Sequence, residues 1–350
     1  MNVGIIGAGG IAYKLHLPQL TAIPGVQVTH LAGREEHRLR ILAEKYDVPH
    51  CTTDYQALLA DDRVDAVVVA LPHPLHVPFG LQVLQAGKHL LMQKPLCGRM
   101  DEADRFVEAV ERSDRIVYCL PHFGPEVRKA RQLLLSGAIG KFSGAYCRAS
   151  HGGPEVYYAE VRDAFQETGE ELWFFKEGEA AVGALFDMGV YAVATLVAIA
   201  GSVRAVTGMI ATVDKPTTLE DTATLVLQFE NGAPGTAETG WCDPARTWQL
   251  RVHGTAGKLV SPGENGAPLT RWEPGSYTRE DVPAIPHAVD CSDIPVGNAH
   301  EEWVRCIREN RQPDLCHAWA ARHVTEVLLA GLESARSGQR VTLRTRAERV

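Results

Sequence analysis

The most constraining feature of this 350-residue chain is a glycine-rich turn close behind its first predicted strand. Val3 to Ile6 form a short apolar run that is typical of a buried parallel strand, and a Gly-x-Gly-x-x-Ala sequence follows it directly. A helix is predicted over Tyr13 to Ile23. Strand, tight turn and helix in this order place open backbone and a helix N-terminus where a pyrophosphate binds. The pattern therefore predicts a dinucleotide-binding turn. Its residues are Gly7, Gly9, Gly10, Ile11 and Ala12.

The end of the second predicted strand, Val26 to Ala32, bears on which dinucleotide is bound. Rossmann sites for NAD usually carry Asp or Glu here, because a carboxylate accepts hydrogen bonds from the ribose hydroxyls. This chain has Gly33 instead, followed by Arg34, whose guanidinium fork suits a 2′-phosphate. Arg38, one helical turn later, either assists or faces water. The sequence thus favours NADP over NAD, while the alternative is that Arg34 is a solvated charge at a helix start.

Polar segments follow the next two predicted parallel strands, Val64 to Leu71 and Lys88 to Met92. Ligands of open α/β sheets gather at the carboxyl ends of strands, so both segments are candidates for cofactor contact. Lys94 has a charge and a donor that could serve a reacting substrate oxygen. A single histidine or lysine at a strand end is usually structural, but two such segments in register with a glycine turn favour a site. The candidates are Leu71, Pro72, His73, His76, Gln93 and Lys94.

The pattern changes at Phe123, where closely spaced strands replace the alternation of strand and helix. The dipeptide Asn231-Gly232 between two of these strands is a strong hairpin signal. Strands without intervening helices indicate an antiparallel sheet. We therefore predict an α/β protein with two domains. Residues 1–122 form a doubly wound parallel Rossmann sheet of about six strands, and residues 123–350 form an α/β substrate-binding and oligomerisation domain with an open, mainly antiparallel sheet.

Other segments of the second half are predicted as follows. Residues 150–176 and 262–286 are expected to be loops, the latter because it is rich in Pro and Gly. Helices are predicted over 298–308 and 318–337. Asp187 and Tyr191 lead into an apolar helix, and their spacing of four would place both side chains on one helical face. Burying a carboxylate and a phenol without partners costs several kcal/mol. They therefore either line a site or act as a helix cap and a core residue.

Composition excludes several function classes. The chain is 45% hydrophobic and 22% charged, with a net charge of -8, which gives no electrostatic footprint for nucleic acid or an anionic membrane. Its eight cysteines contain no C-x-x-C pair, which predicts reduced thiols, no metal site and a cytoplasmic location. No basic-then-apolar leader is visible at the N-terminus. The longest uncharged apolar stretch, Met188 to Val203, is shorter than the roughly 20 residues that span a bilayer.

Taken together, these segments resemble the glucose-fructose oxidoreductase and inositol dehydrogenase family, known as Gfo/Idh/MocA. The resemblance covers essentially the whole chain, through Asn2 to Gly7, Gly87 to Leu96, Asp187 to Tyr191 and Ser334 to Gly338. It implies hydride transfer between a nicotinamide and a sugar, a polyol or a sugar derivative. It implies that Lys94 is catalytic and contacts the substrate hydroxyl and the nicotinamide ribose. It also implies a homodimer or homotetramer formed through the C-terminal sheet.

Two departures from the family pattern qualify the resemblance. The family usually has Glu where this chain has Gln93. Gln carries no charge, so the residue before Lys94 would do less to maintain the pKa of that lysine than in relatives. Many members have His where this chain has Tyr191. In having tyrosine here the chain resembles the branch that contains glucose-fructose oxidoreductase, dihydrodiol dehydrogenase and NADP-dependent xylose dehydrogenase. In that branch the tyrosine is assigned the acid/base role. This agrees with NADP as the cofactor.

The resemblance also assigns substrate contacts. Asp187 would orient substrate hydroxyls beside Tyr191, and His122 falls where relatives often carry an arginine or another polar residue. Trp173 would line the site, although Phe174 stands where the family often has an arginine. The predicted substrate-contacting residues are His122, Trp173, Asp187 and Tyr191.

Two other functions fit the same fold. In one, the cofactor is reduced and reoxidised within a turnover, so that a glycosidic bond is cleaved or a centre epimerised without net redox change. In the other, the protein is a non-enzymatic dinucleotide sensor, whose expected signature is loss of the lysine or the acid/base residue. Lys94 and Tyr191 are both present, which favours an enzyme. Cyclic polyols, aldoses, sugar nucleotides and aminosugars all stay open as substrates.

Overall fold

The structure, a computed structural model, describes residues 1–167, 172–176, 178, 182–276 and 278–348. The chain forms two compact units, each assembled from separate stretches of sequence. The first unit comprises Met1–His122, Pro154–Ala181 and Gly297–Thr325. The second unit comprises Phe123–Gly153, Val182–Val296 and Glu326–Val350.

The strands of the described residues fall into two sheets. Those of the first sheet are β1 (Asn2–Ile6), β2 (Gln27–Ala32), β3 (His50–Thr52), β4 (Ala66–Val69), β5 (His89–Met92) and β6 (Val117–Cys119). Those of the second sheet are β7 (Phe142–Ser150), β8 (Val203–Ala211), β9 (Thr222–Phe229), β10 (Pro234–Gly240), β11 (Thr247–Gly254), β12 (Gly257–Ser261), β13 (Thr270–Glu273), β14 (Ile285–Ala288) and β15 (Val341–Thr342).

The α-helices of the described residues are distributed over both units. They are α1 (Leu17–Thr21), α2 (Glu36–Tyr46), α3 (Tyr55–Ala60), α4 (His76–Gln85), α5 (Met100–Glu111), α6 (Pro125–Leu135), α7 (Pro154–Phe165), α8 (Ala184–Asp187), α9 (Gly189–Ala200), α10 (Ala299–Arg308) and α11 (Ala318–Ser337). The helices predicted over 298–308 and 318–337 are thereby confirmed.

The first sheet is the predicted Rossmann sheet. Its strands run parallel in the order β3-β2-β1-β4-β5-β6. Every residue of β4 is buried, as expected of a parallel strand covered on both faces. The edge strand β3 is not predicted, because it has only three residues and two of them are exposed.

The predicted helix over Tyr13 to Ile23 begins with a π-helical turn, Ala12–His16, that runs directly into α1. The backbone N–H of Leu17 donates to the carbonyl of Ala12, five residues earlier. A π turn inserts an extra residue into a helix and is frequently found at functional sites. Here it accompanies the complete burial of His16.

The second sheet has nine strands in the order β14-β13-β12-β11-β7-β10-β9-β8-β15. Only the β7–β10 pair is parallel among its described pairings, so the prediction of a mainly antiparallel sheet is confirmed. The predicted Asn231-Gly232 hairpin joins β9 to β10. Gly232 adopts a φ of 86°, and Asn231 Oδ1 accepts from the N–H of Ala233 at 3.0 Å.

Two segments predicted as loops contain regular structure, so that prediction was wrong. Within 150–176 lie α7 and a 3₁₀ turn at Trp173–Phe175. The buried face of α7 is narrow, because only Pro154, Val161 and Phe165 are buried, and it gives a weak periodic signal. Within 262–286, β13 and the start of β14 extend the edge of the second sheet. All of β14 is exposed, so its sequence shows no alternation of buried and exposed residues.

The described residues contain no helix long and apolar enough to cross a membrane. None of the eight cysteines, all of which lie in described parts of the chain, forms a disulfide bond.

We expect Gly7→Ala to destabilise the first unit strongly. Gly7 has a φ of 117°, and a Cβ built on it would lie 2.1 Å from the carbonyl oxygen of Ala70. Backbone strain and this clash together should lower the free energy of unfolding by about 3 kcal/mol or more, measured by urea denaturation.

Gly9→Ala is the matched control for this substitution. A Cβ at Gly9 meets no heavy atom of the described residues within 4 Å, so we expect a loss below about 1 kcal/mol. Equal losses in the two variants would show that the contact with Ala70 does not constrain the turn.

Candidate functional site

The glycine turn has the geometry of a phosphate cradle. Gly7, the first residue after β1, has a backbone conformation that residues with L side chains rarely adopt. Its N–H donates to the carbonyl of Ala32 at 2.8 Å. A Cβ at Gly9 would stand in open space among the described residues, so the backbone there is open to a ligand. Ala12 is fully buried, as expected where a helix lies close on a strand.

Helix α7 lies against this turn within the first unit. A Cβ on Gly10 would come within 2.7 Å of Val161 Cγ2. The Lys14 ammonium donates to the carbonyl of Tyr157 at 3.2 Å and also to the carboxylate of Glu160. The sequence did not predict this helix. Its contacts with the turn are therefore an addition to the predicted site.

At the end of β2 the two arginines differ in their surroundings. A Cβ on Gly33 would lie 2.8 Å from Ala8 Cβ, so this position has no room for a carboxylate side chain unless Ala8 moves. Arg34 is exposed and makes no hydrogen bond or ion pair with the described residues. Arg38 is half-buried, and its guanidinium is held by the carboxylate of Glu167. The sequence reasoning missed Glu167.

The segments after β4 and β5 are tied together by His76. Its Nδ1 lies 2.6 Å from the carbonyl oxygen of Pro95, and its Nε2 lies 2.7 Å from that of Leu71. Burial lowers the pKa of His76 to about 4, although the two carbonyl oxygens oppose that shift. A neutral ring has one N–H, so it donates to one of these two carbonyls while its other nitrogen only lies beside the second. The ring is therefore packed between the two predicted segments. Lys94, at the end of β5, is half-buried.

His73 and Trp173, predicted from separate parts of the chain, lie together in the first unit. Their ring centroids are 5.0 Å apart in an edge-on arrangement, and Phe174 packs on His73 at 5.4 Å. Trp173 Nε1 donates to the hydroxyl of Tyr158 at 3.2 Å. Pro72 immediately precedes the 3₁₀ turn that presents His73. These contacts form an aromatic cluster beside the end of β4.

Gln93 belongs to a buried chain of hydrogen bonds. Its Oε1 accepts from the backbone N–H of Lys94 at 2.8 Å, and its Nε2 lies 3.2 Å from His16 Nε2. His16 Nδ1 lies 2.7 Å from His300 Nε2, and His300 Nδ1 lies 2.7 Å from Gln19 Oε1.

These partners assign one donor-to-acceptor direction to the series of hydrogen bonds that runs from Gln93 to Gln19. Because the amide nitrogen of Gln93 can only donate, His16 Nε2 accepts and His16 Nδ1 carries the proton. His300 then accepts at Nε2 and donates from Nδ1 to Gln19. Both rings are neutral in this arrangement, which agrees with burial lowering the pKa of both, that of His300 to about 4.

His122 lies in a polar cluster of the first unit. Its Nδ1 is 2.7 Å from the hydroxyl of Tyr118, and its Nε2 is 2.9 Å from the carbonyl oxygen of Gly297. Tyr118 donates to the carboxylate of Glu302 at 2.9 Å. Both ring nitrogens of His122 thus have protein partners. A substrate contact through either nitrogen would have to share or displace them.

The sequence predicts that Asp187 and Tyr191 lie on one helix, but in the second unit they lie on two. Helix α8 ends at Asp187 and α9 begins at Gly189, because Met188 interrupts the helix with φ −107° and ψ −35°. The buried Asp187 carboxylate accepts from Trp241 Nε1 at 2.9 Å. Tyr191 lies in the first turn of α9 and is half-buried.

The sequence reasoning also missed His151, whose Nε2 lies 3.7 Å from Asp187 Oδ2. The N–H of Gly153 donates to His151 Nδ1 at 2.8 Å, so Nε2 carries the proton and points its positive edge at the carboxylate. A histidine at the end of β7 followed by two glycines was the available signal. Among the described residues, no group of three His, Cys, Asp or Glu side chains could hold a metal ion.

Two family models match the chain. Residues 1–120 match the oxidoreductase family with an NAD-binding Rossmann fold, and residues 127–260 match the GFO/IDH/MocA C-terminal domain. The chain belongs to the Gfo/Idh/MocA oxidoreductase family. The resemblance inferred from the motifs is thereby confirmed.

Known members of the family share modest identity with this chain. D-xylose 1-dehydrogenase (NADP(+)) 2 of Haloferax volcanii is 25% identical over 84% of this chain and 91% of its own length. An uncharacterized oxidoreductase of Rhizobium meliloti, ORF334, is 28% identical over 55% of this chain, and this match spans about half of its own length, 54%. The crystal structure of GenD2 from gentamicin A biosynthesis, in complex with NAD, superposes with a TM-score of 0.78 at 24% identity, covering 99% of this chain and 97% of that one.

We expect the stability of this Gfo/Idh/MocA protein to fall as the pH drops below 6.5. The pKa of His300 is about 4 in the folded chain against an ordinary value of 6.5, so the unfolded chain binds more protons between these values. Stability is therefore fully present above pH 6.5 and is lost on acidification toward pH 4. At pH 5 the loss from His300 should be about 2 kcal/mol.

Urea denaturation at pH 7.5 and pH 5 measures this loss. His300→Gln keeps an acceptor within reach of His16 but removes the titrating ring, so its loss between the two pH values should be smaller by that amount. An unchanged loss in this variant would assign the pH dependence to other groups.

Proposed function

We propose that this protein is an NAD(P)-dependent oxidoreductase that acts on a carbinol or ketone carbon of a sugar, a polyol or a sugar derivative. The observation that carries the proposal is a phosphate-cradle turn after β1 in the same parallel sheet whose strand β5 is followed, two residues on, by a half-buried lysine, Lys94. The likeness to a relative named as a D-xylose dehydrogenase supports a sugar-like substrate.

The chain's own residues take the following roles in this proposal. A bound nicotinamide supplies or accepts the hydride at C4. Lys94 holds the reacting oxygen through its ammonium donor. Tyr191 exchanges the proton of the substrate hydroxyl as general acid or base. Asp187, held by Trp241, accepts hydrogen bonds from substrate hydroxyls.

The proposed cofactor contacts follow four strands of the first sheet, β1, β2, β4 and β5. The backbone from Gly7 to Ala12 would hold the pyrophosphate, and Gly33 and Arg34 would face the adenosine ribose. Leu71 to His76 and Gln93 to Lys94 would line the nicotinamide side. We favour NADP over NAD because Gly33 carries no carboxylate and Arg34 is exposed. The xylose dehydrogenase relative is named for NADP(+), which agrees with this preference.

We also propose residues 1–122 as the dinucleotide-binding domain and residues 123–350 as the domain for substrate binding and oligomerisation. The sheet of the second unit carries exposed apolar side chains, including Met209 on β8, 76% exposed, and Val226 on β9, 51% exposed. Solvent-exposed apolar residues on one sheet support its use in a homodimer or homotetramer.

The test of the function begins with the purified protein, NADPH and NADH, followed by a panel of sugars and polyols monitored at the absorbance of the reduced nicotinamide. Substrate-dependent change is expected in the wild type. Lys94→Ala and Tyr191→Phe should lower kcat at least about 100-fold while nucleotide binding persists, because the glycine turn is untouched.

Near-normal kcat in either variant would remove that residue from the catalytic role. Nucleotide binding with no absorbance change, but with appearance of a cleaved or epimerised sugar, would replace the dehydrogenase with the redox-neutral enzyme. Binding without any product would indicate a sensor.

Arg34→Ala tests the cofactor preference. Loss of the exposed guanidinium should weaken NADPH binding at least about tenfold while NADH binding changes little, since only NADPH carries the 2′-phosphate. Calorimetric titration of both nucleotides measures the effect. Equal losses for NADPH and NADH would withdraw the case for NADP.

A further inference from the structure

The carboxylate of Glu167 is bound to the first turns of α2 in the first unit. Its Oε1 accepts from Arg38 Nε at 2.5 Å, and its Oε2 accepts from Arg38 Nη2. Oε1 also lies 2.8 Å from His37 Nε2. The ring of Phe165 lies 5.1 Å from the guanidinium carbon of Arg38 and packs against this cation.

This arrangement uses the donors that a 2′-phosphate would need. Two parallel N–H···O bonds from one guanidinium to one carboxylate have the fork geometry by which arginine also binds phosphate. Arg38 lies four residues after Arg34, just beyond the β2 end where the adenosine ribose binds in Rossmann folds. A phosphate at Arg38 would therefore have to displace a carboxylate that it also repels.

Glu167 stays ionised in this site. The hydrogen bonds from the Arg38 guanidinium hold the pKa of its carboxyl below the usual range, and the contact with His37 acts in the same direction. The side chains of Arg38 and Glu167 are only about one quarter exposed, at 26% and 23%, so solvent screens the pair less than it would a surface pair.

Glu167 can also be compared with the acidic residue that is missing at position 33. NAD-type sites place an acidic residue at the end of the second strand, but a Cβ at Gly33 would lie 2.8 Å from Ala8 Cβ. In this chain a carboxylate contacts His37 and Arg38 at the start of the next helix, although it comes from residue 167 rather than from the strand.

We propose that Glu167 determines nucleotide specificity by occupying the Arg38 guanidinium, so that the 2′-phosphate of NADP is bound by Arg34 without Arg38 and NAD is accepted as well. The inference rests on the proposed function, because it requires a nicotinamide dinucleotide on the glycine turn. It assigns the two arginines different roles: Arg34 discriminates between the nucleotides, and Arg38 contributes only when Glu167 is removed.

The test compares two probes that differ by one phosphate, 2′,5′-ADP and 5′-ADP, titrated by calorimetry into the full-length protein. Glu167→Gln should tighten binding of 2′,5′-ADP by about tenfold or more and change 5′-ADP less than about twofold. Glu167→Asp, which is too short to hold both guanidinium nitrogens, should act in the same direction. Binding of 5′-ADP reports that each variant is folded.

A double-mutant cycle separates the specific contact from a change in net charge. Arg38→Ala should not tighten 2′,5′-ADP binding in the wild type, because the Glu167 carboxylate left behind still repels the phosphate, and it should abolish the gain in the Glu167→Gln background. Asp163→Asn is the matched control, since it removes an exposed carboxylate from α7 and should change neither probe.

The outcomes distinguish the two proposals. Normal 5′-ADP binding with no gain for 2′,5′-ADP in Glu167→Gln overturns the role of Glu167 and leaves the proposed function standing. A gain that survives Arg38→Ala, or that Asp163→Asn reproduces, also overturns it, because the effect would then be long-range charge. A folded wild type that binds neither 5′-ADP nor NADH overturns the proposed function and this inference with it.

Discussion

The first unit depends on the contact between the turn after β1 and the end of β4. At Gly7 the backbone passes so close to the carbonyl of Ala70 that no side chain fits between them. This contact fixes the exit of β1 beside that of β4, and β5 pairs with β4 in register. The buried ring of His76 then lies between the segments after β4 and β5, with its nitrogens 2.7 Å from the carbonyl oxygen of Leu71 and 2.6 Å from that of Pro95. The segment that carries Lys94 thus follows a strand whose place in the sheet depends on contacts that begin at one glycine.

The parts of the fold that the sequence predicts well are those with strong local signals. Fully apolar runs such as Ala66–Val69 identify the parallel strands, and the Asn231-Gly232 dipeptide identifies the β9–β10 hairpin. Helix α7 escaped prediction because its stability comes from distant residues. Lys14 contacts Glu160, which is 146 positions away in the chain, and Val161 packs on the glycine turn. No periodicity within α7 itself could reveal those partners.

In the candidate site too, some residues can be identified from the sequence and others cannot. Residues at strand ends, such as Lys94 and His73, can be identified from the sequence because topology alone brings strand ends together. Their supporting partners cannot, because the contacts join distant segments: His16 and His300 are 284 positions apart. The break at Met188 is equally invisible, since the sequence on both sides favours a helix. The spacing of Asp187 and Tyr191 therefore predicted one continuous helix, whereas the two residues lie on α8 and α9.

Gln93, which departs from the family pattern, and Glu167 both concern where negative charge is held in the first unit. An ionised Glu at position 93 could only accept hydrogen bonds, so His16 would have to donate from Nε2. His16 would then either carry a second proton or reverse its bond with His300. Gln93 can donate and accept at once, which keeps both buried rings neutral and gives the hydrogen-bond chain one direction. At the start of α2 the reverse holds, because Glu167 adds a carboxylate that binds Arg38, whereas the preceding strand end has only Gly33. The first unit thus holds a neutral amide beside Lys94 and a carboxylate at Arg38, and each is matched by the residues that contact it.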